Sequence, residues 1–194
     1  MKEFFVSDLH IGHENCLRFD NRPFKNLAEQ NEKMVEIWNK RVKPEDHVWM
    51  LGDILWFANK ENEDVLKSLN GKKYLVTGNH DGRMLKVGHI KNLFEEIHEG
   101  YHKLHDYKGR TLILSHYPII QFDGVMRGNI HLYGHIHVNP RDNAFIEKWK
   151  KEYEEGMTGQ AGNSFKVNMY NVGFAVPYME WGPKTLDEIL EANK

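Results

Sequence analysis

One arrangement recurs along this chain and limits the folds open to it: a short apolar segment that runs into a turn of Asp, Asn, His and Gly. The apolar segments are predicted strands at 3–7, 47–51, 73–77, 111–115 and 130–133. The turns that follow them are Asp8-Leu9-His10, Gly52-Asp53, Gly78-Asn79-His80-Asp81, His116 and Gly134-His135-Ile136-His137. Because a sheet fixes its strand ends and leaves the loops beyond them exposed, the pattern predicts an α/β fold that gathers these turns at one site.

The other predicted elements frame these strands. They are helices at 27–41, at 62–69 and from Thr185 onward, and a strand at about 165–172. Apolar side chains at helical spacing support the first helix, and Thr185 with Glu188 forms a capping box for the last. The stretch 139–164 lacks the strand-and-turn pattern and is interpreted as an insertion within a single domain of residues 1–194.

Composition limits the class of protein. A chain of 194 residues with 40% hydrophobic and 28% charged residues is ordinary for a globular enzyme. A net charge of −2 gives no global field that would attract nucleic acid. One cysteine excludes an internal disulfide and favours a reducing compartment. With no signal peptide or membrane-spanning stretch evident, the expected location is the cytoplasm, and the oligomeric state stays open.

The donor types in the turns predict a metal centre. Seven candidate ligands are present: Asp8, His10, Asp53, Asn79, His116, His135 and His137. One divalent ion needs about four to six ligands, so seven donors suit two ions that share Asp53. Imidazole with carboxylate favours Mn, with Fe, Zn or Ni as alternatives, over Ca or Mg. Two metals about 3.5–4 Å apart would activate a water molecule as hydroxide and clamp the oxygens of a phosphoryl transfer.

The five turns, in this order, resemble the signature blocks of the calcineurin-like metallophosphoesterase family. The opening Ser7-Asp8-Leu9-His10-Ile11-Gly12-His13, followed by Asn21-Arg22-Pro23-Phe24, is similar to small bacterial and phage members. The resemblance implies a four-layer α/β/β/α sandwich, in which two packed mixed β-sheets are flanked by helices and carry a dinuclear metal site at strand-end loops.

The resemblance also implies a role for each residue. Asp8, His10, Asp53 and His137 would hold the first metal, and Asp53, Asn79, His116 and His135 the second. His80 would stay off the metals, stabilise the phosphoryl oxygens and protonate the leaving group, while Asp81 would orient His80.

Substrate contacts are less constrained by the sequence. The candidates are His13, Arg22, Arg83 and Tyr117, which lie in or beside the metal-site blocks. For the two arginines the alternative is a solvated charge, and for His13 a surface or supporting role. Trp56-Phe57 is interpreted as core rather than as a pocket wall, and histidines outside the blocks, among them His131, are interpreted as structural.

The resulting expectation is a hydrolase that cleaves phosphate esters, with a phosphodiester of nucleotide type slightly favoured because the chain has few insertions to grip a protein substrate. A phosphomonoesterase acting on a metabolite or a phosphoprotein is the main alternative. A metal-bound scaffold without activity would need a missing ligand, and none of the expected ligands is missing. A nuclease acting on long nucleic acid would need a basic groove, and the best basic run, residues 72–91, is equally well explained as a solvated face.

Overall fold

The computed structural model describes residues 1–161 and 166–194, except for the side chains of 105–107 and 157–161. Its first sheet joins elements from both ends of the chain. The strands are β1 (Glu3–Val6), β2 (His47–Met50), β3 (Lys72–Val76), β4 (Glu96–His98) and β9 (Lys184–Thr185). Their order is β4-β3-β2-β1-β9, and every pairing is parallel except that of β1 with β9. The carboxyl ends of β1, β2 and β3 therefore lie at one edge.

The second sheet is formed by the middle of the chain. Its strands are β5 (Tyr101–Tyr107), β6 (Arg110–Ser115), β7 (Ile130–Tyr133) and β8 (Met169–Asn171), in the order β5-β6-β7-β8. The pair β5–β6 is antiparallel, whereas β6, β7 and β8 run parallel. The parallel part again brings strand ends and their loops to a common edge.

Helices flank the two sheets. They are α1 (Asn15–Phe19), α2 (Leu27–Arg41), α3 (Lys60–Ser68), α4 (Asp81–Met84), α5 (Pro140–Ala161) and α6 (Leu186–Ala192). Asn26 caps α2 by accepting a hydrogen bond from Glu29 N, and Thr185 with Glu188 forms the capping box expected at α6. Among the described residues, no helix combines the length and the apolar character needed to cross a bilayer.

The alternation of side chains between the two faces of each strand explains how the layers pack. Leu112, Leu114, Ile130 and Leu132 of the second sheet belong to the same buried cluster as the apolar residues of β1, β2 and β3, so the two sheets pack face to face. Ile113, which points to the opposite face of β6, forms a second cluster that includes residues of α5. The α/β/β/α arrangement expected from the resemblance is confirmed.

The element boundaries differ from the prediction where the sequence carries little periodicity. The structure adds α1, α4, β4, β5 and β9 to the predicted elements. The strand expected at about 165–172 is limited to Met169–Asn171 among the described residues, and 165 lies outside them. The stretch interpreted as an insertion contains α5, which covers the outer face of the second sheet.

The two sheets meet directly at the edge that carries the polar turns. Ser7 forms a parallel bridge with Gly173, in which Ser7 N donates to Val172 O and Phe174 N donates to Ser7 O. The buried Ser7 hydroxyl donates to Leu51 O, 2.6 Å away. These contacts fix the ends of β1, β2 and β8 relative to one another and so position the loops that follow.

Candidate metal centre

The loops after the strands turn sharply through left-handed backbone. The non-glycine residues with this conformation at the site are Asp8 (φ 58°), His10 (φ 50°), Asp53 (φ 57°), His135 (φ 70°) and His137 (φ 48°). Each such residue costs about 1–2 kcal/mol relative to ordinary backbone, and such strain concentrates at functional sites. All five are predicted metal ligands, so the fold stabilises an unfavourable backbone at the positions that chemistry requires.

Two glycines allow the carboxylates to approach neighbouring backbone. A Cβ atom on Gly78 would lie 2.4 Å from Asp53 Oδ1, and one on Gly134 would lie 2.3 Å from Asp8 Oδ2. Any side chain at either position would displace a predicted ligand. The glycine in each block is therefore required by the packing of the carboxylate next to it.

The first group of converging donors consists of Asp8, His10 and His137. The Nε2 atoms of His10 and His137 are 3.1 Å apart, and Asp8 Oδ1 lies 3.4 Å from His137 Nε2 and 3.9 Å from His10 Nε2. Their ligand atoms are close enough together to hold one ion.

The second group surrounds His116, whose side chain is fully buried. Its Nε2 atom lies 3.0 Å from Asn79 Oδ1, 3.2 Å from His135 Nδ1 and 3.4 Å from Asp53 Oδ2. Asp53 Oδ2 is also 3.7 Å from His10 Nε2 of the first group. The Asp53 carboxylate therefore stands between the two groups, as expected for a shared ligand.

Proton positions test whether cations fit these groups. His116 Nδ1 donates to Leu51 O (2.8 Å), and His137 Nδ1 is 2.9 Å from Asp20 Oδ1. In a neutral imidazole the opposite nitrogen then carries a lone pair. Both Nε2 lone pairs point at other acceptors. Such crowding of acceptors is what divalent cations satisfy, so the donor set fits two metal ions.

The electrostatics of the metal-free protein agree with that fit. Burial lowers the pKa of His10 to about 3, and the nearby His137 adds to the effect. Burial also opposes protonation of His116, but its hydrogen bond to Asp53 and the charge of Asp8 raise the pKa of His116 to about 9. Without metal, a proton on His116 offsets the negative charge that a cation would otherwise neutralise.

His80 and Asp81 lie beside the donors but act differently from each other. The His80 side chain is 40% exposed, with Nε2 3.9 Å from Asp53 Oδ2, so it can reach a bound substrate. The Asp81 carboxylate is buried and accepts hydrogen bonds from the backbone N–H groups of Asp53, Ile54 and Gly78. Asp81 thus ties two metal-site loops together through their backbone, whereas the resemblance implied a role in orienting His80.

Asp20 is a site residue that the sequence analysis missed. Its buried carboxylate holds His137 and also accepts from Arg22 Nε (3.0 Å) and Nη2 (2.7 Å). Arg22 donates further to the carbonyl oxygens of Asp8 and Leu9 and to Gln30 Oε1. The Arg22 side chain is fully buried, so the predicted role as a substrate contact does not fit its position. It anchors the first metal-site loop instead.

An open pocket of about 520 Å³ lies over the first group of donors. Its lining includes His10, His13, Trp56, His80 and His137. His13, predicted to contact substrate, is half-buried there, and its ring stacks on Trp56 with centroids 3.7 Å apart. Trp56 is a pocket wall and Phe57 is 54% exposed, so the interpretation of this pair as core was wrong.

The other two predicted substrate contacts lie on either side of the second group. Arg83 is exposed and lines a smaller space of about 260 Å³ with Trp56, Asn79 and His80. Tyr117 is 46% exposed, and its ring lies 4.5 Å from that of His135. Both side chains can therefore reach a molecule bound at the centre.

Comparison with known proteins assigns the chain to a family. Residues 1–158 match the calcineurin-like phosphoesterase superfamily domain. An uncharacterized protein of Methanocaldococcus jannaschii is 32% identical over 147 residues, which is 73% of this chain and 72% of that protein. The gene 66 protein of Mycobacterium phage L5 is 35% identical over 82 residues, 41% of this chain and 39% of the phage protein.

A solved structure has the same overall fold. A protein of unknown function from Aquifex aeolicus superimposes with a TM-score of 0.68 at 25% identity, covering 98% of both chains. The chain belongs to the calcineurin-like phosphoesterase superfamily. It is accordingly a hydrolase of phosphate esters, the family implies divalent metal ions, and the structure contains Asp and His groups suited to hold them.

Proposed function

We propose that this phosphoesterase hydrolyses phosphodiesters, with nucleotide-type substrates favoured, and that it uses two divalent metal ions, of which Mn²⁺ is the first candidate. The observation that carries the preference for diesters is that open space adjoins the converging donors on more than one side. A phosphodiester places an ester arm on each side of the phosphorus, whereas a monoester has only one arm to accommodate.

The spaces meet at the donors. The pocket of about 520 Å³ lies on the side of His10 and His137. A second space of about 420 Å³, lined by Pro118, Ile120 and Phe145, shares His135, Ile136 and Asp142 with the first. A phosphorus atom bound at the donors would have room for one arm in each space. Both linings mix apolar and polar side chains, as sites for organic ester groups generally do.

The proposed ligand sets follow the two groups of donors. Asp8, His10, Asp53 and His137 hold one ion, and Asp53, Asn79, His116 and His135 hold the other. Divalent ions at these positions supply Lewis acidity, which lowers the pKa of a water molecule and offsets negative charge on the phosphoryl oxygens. Leu51 O and Asp20 hold His116 and His137 so that their Nε2 lone pairs face the site.

The remaining roles fall to side chains that reach the pockets. His80 lines both the large pocket and the space at Arg83, so its ring can donate a hydrogen bond to a phosphoryl oxygen and deliver a proton to the leaving oxygen. Its backbone N–H donates to Asp53 Oδ1 (2.8 Å), which couples its position to that of the shared carboxylate. Arg83 provides a positive charge for an outer oxygen of the substrate.

The test compares a chromogenic phosphodiester with its monoester analogue on the purified chain, with Mn²⁺, Ni²⁺ or Zn²⁺ added separately. We expect diester turnover at least equal to monoester turnover, and a clear preference for the monoester would contradict the proposal. Asn79→Ala and His80→Ala should both lose turnover. His80→Ala should retain its bound metal, which separates a substrate contact from a ligand.

A further inference from the structure

Three side chains beside the proposed centre are aligned by the local backbone. His13 N donates to His10 O (2.9 Å), and Cys16 N donates to His13 O (3.1 Å). These two hydrogen bonds close successive tight turns, the first of which contains Gly12 with a left-handed φ of 86°. His10, His13 and Cys16 are therefore brought together by seven consecutive residues, independently of the other loops.

The three side chains are close enough to share one ion. Cys16 Sγ lies 2.8 Å from His13 Nδ1, and one ring nitrogen of His10 completes a set of ligand atoms within 4.8 Å of one another. Stacking on Trp56, at an interplanar angle of 10°, fixes the His13 ring in the plane that presents this nitrogen. The backbone hydrogen bonds and the contact with Trp56 therefore both hold these side chains in place before an ion binds.

His10 supplies the second observation that points to a ligand. The residue is 3% exposed, and within the described structure its Nδ1 atom has no hydrogen-bond partner. An unpaired buried ring nitrogen costs about 1–3 kcal/mol, so it needs a compensating interaction. The Nε2 atom of the same ring faces His137, which leaves Nδ1 available to a second ion.

We propose that His10, His13 and Cys16 form a separate binding site for a thiophilic cation such as Zn²⁺ or Cd²⁺, next to the dinuclear centre. His10 bridges the two sites, with Nε2 directed at the centre and Nδ1 at the thiophilic cation. All three residues line the large pocket, so the ion has access from solvent and a free coordination position towards it.

The distances suit a tetrahedral ion after a small adjustment. Metal–sulfur and metal–nitrogen bonds of about 2.3 and 2.0–2.1 Å place the ligand atoms about 3.5 Å apart. The Cys16–His13 separation of 2.8 Å would have to open by less than about 1 Å. Binding would displace the thiol proton to solvent, leaving a thiolate bonded to the ion. When the dinuclear centre is also occupied, the remaining ring proton of His10 would leave as well, so that the ring bridges the two sites as an imidazolate.

The thiolate defines the class of cation. The proposed dinuclear centre offers only nitrogen and oxygen donors, which accept several first-row metals, whereas sulfur selects softer ions. Mn²⁺ should therefore prefer the dinuclear centre, and Zn²⁺ or Cd²⁺ should occupy both. The proposal uses the same pocket as the proposed function but does not require that the chain cleave diesters.

The test is a titration of the metal-free full chain with Cd²⁺, followed by the thiolate-to-cadmium absorption in the ultraviolet. Because Cys16 is the only cysteine, this absorption reports the proposed site alone. We expect a saturable signal of one thiolate per chain that Cys16→Ser abolishes. His13→Ala should weaken the apparent affinity at least about tenfold. His89→Ala is the matched control, because His89 pairs with Glu63 outside the cluster.

Two outcomes would overturn the site: no such absorption in the unaltered chain, or an affinity that His13→Ala leaves unchanged, since Cys16 would then bind by itself. Asn79→Ala separates this proposal from the proposed function. That variant should lose diester turnover yet keep the cadmium signal. Loss of the signal in Asn79→Ala would show that the cluster is not a separate site, whereas a signal without diester turnover in the unaltered chain would contradict only the proposed function.

Discussion

His116 directly follows β6 and His131 lies within β7; both are fully buried, yet they are held in opposite ways. His131 is satisfied at both ring nitrogens: Nδ1 donates to Ile113 O (2.9 Å), and Nε2 accepts from Ile119 N (3.0 Å). His116 has the first kind of contact, to Leu51 O, but its Nε2 faces Asn79 Oδ1, His135 Nδ1 and Asp53 Oδ2. The backbone satisfies both nitrogens of one ring, whereas Nε2 of the other faces the acceptors of the proposed metal centre.

Their acid–base properties follow the same difference. Burial lowers the pKa of His131 to about 4. Burial acts on His116 in the same direction, but Asp53 and Asp8 outweigh it and raise the pKa of His116 to about 9. Burial alone therefore does not distinguish a structural histidine from a ligand. The groups that face the second ring nitrogen distinguish the two kinds of histidine.

The largest expected effect comes from removing the carboxylate that creates this difference. Asp53→Ala should lower diester turnover by about 10³-fold, the upper end of the range for loss of one electrostatic group, because Asp53 faces both groups of donors. Bound metal, counted by elemental analysis, should fall with the activity. Undiminished turnover in Asp53→Ala would contradict the shared role.

The next largest effect is expected for His131, the histidine that the backbone satisfies, and it concerns stability rather than activity. His131→Leu removes a hydrogen-bond partner from the buried Ile113 C=O and from the part-buried Ile119 N–H, and should lower the free energy of unfolding by about 2–4 kcal/mol. Metal stoichiometry should remain that of the unaltered chain. Chemical denaturation measures the free energy of unfolding, and elemental analysis measures the metal stoichiometry.

His116→Leu is the matched variant, equal in burial and in the size of the change. Leu51 O loses the hydrogen bond from His116 but keeps the one from the Ser7 hydroxyl, so the metal-free chain should lose less stability than in His131→Leu. The stabilisation gained on adding metal should disappear. If both variants lost the same stability and retained the same metal, the distinction between the two histidines would be wrong.

The sequence predicts this distinction only through position. His116 directly follows a predicted strand, whereas His131 lies inside one, and strand-end position sufficed to bring all seven predicted ligands together. In the same way, the apolar segments that end abruptly in polar turns predicted most strands of the two sheets. The two-residue strand β9 and the polar strand β5 carry too little periodicity to be recognised.

Asp20 and Arg22 show what a linear pattern leaves out. Asp20 adjoins the Asn21-Arg22-Pro23-Phe24 segment, but its partner His137 is 117 residues away. Arg22 was interpreted as a substrate contact because an arginine beside the metal-site blocks could grip a non-reacting phosphate. Burial of its side chain depends on how the loop folds back onto Asp8 and Leu9, which no local spacing encodes.

Asp20 also extends the comparison to a second ligand, since it holds His137 as Leu51 O holds His116. Asp20→Asn removes the charge that orients the His137 ring, so metal affinity should fall about 10–100-fold, measured by calorimetry. Asp46→Asn is the control, because Asp46 is equally buried but accepts from Lys2 N and Lys43 N. Equal affinities in the two variants would show that Asp20 does not support the centre.

The smallest effect is the response of His131 to pH. Its pKa is about 4 in the folded chain against 6.5 in the unfolded chain, so its stabilising contribution is fully present above pH 6.5 and is lost as the pH falls towards 4. Between pH 7 and pH 6 this loss should be somewhat under about 1 kcal/mol. His131→Leu cannot lose it, so the stability difference between His131→Leu and the unaltered chain should narrow over that interval in metal-free denaturation experiments. A difference that stayed constant or widened would show that His131 binds a proton in the folded chain, and the contrast with His116 would then rest on position rather than on hydrogen bonding.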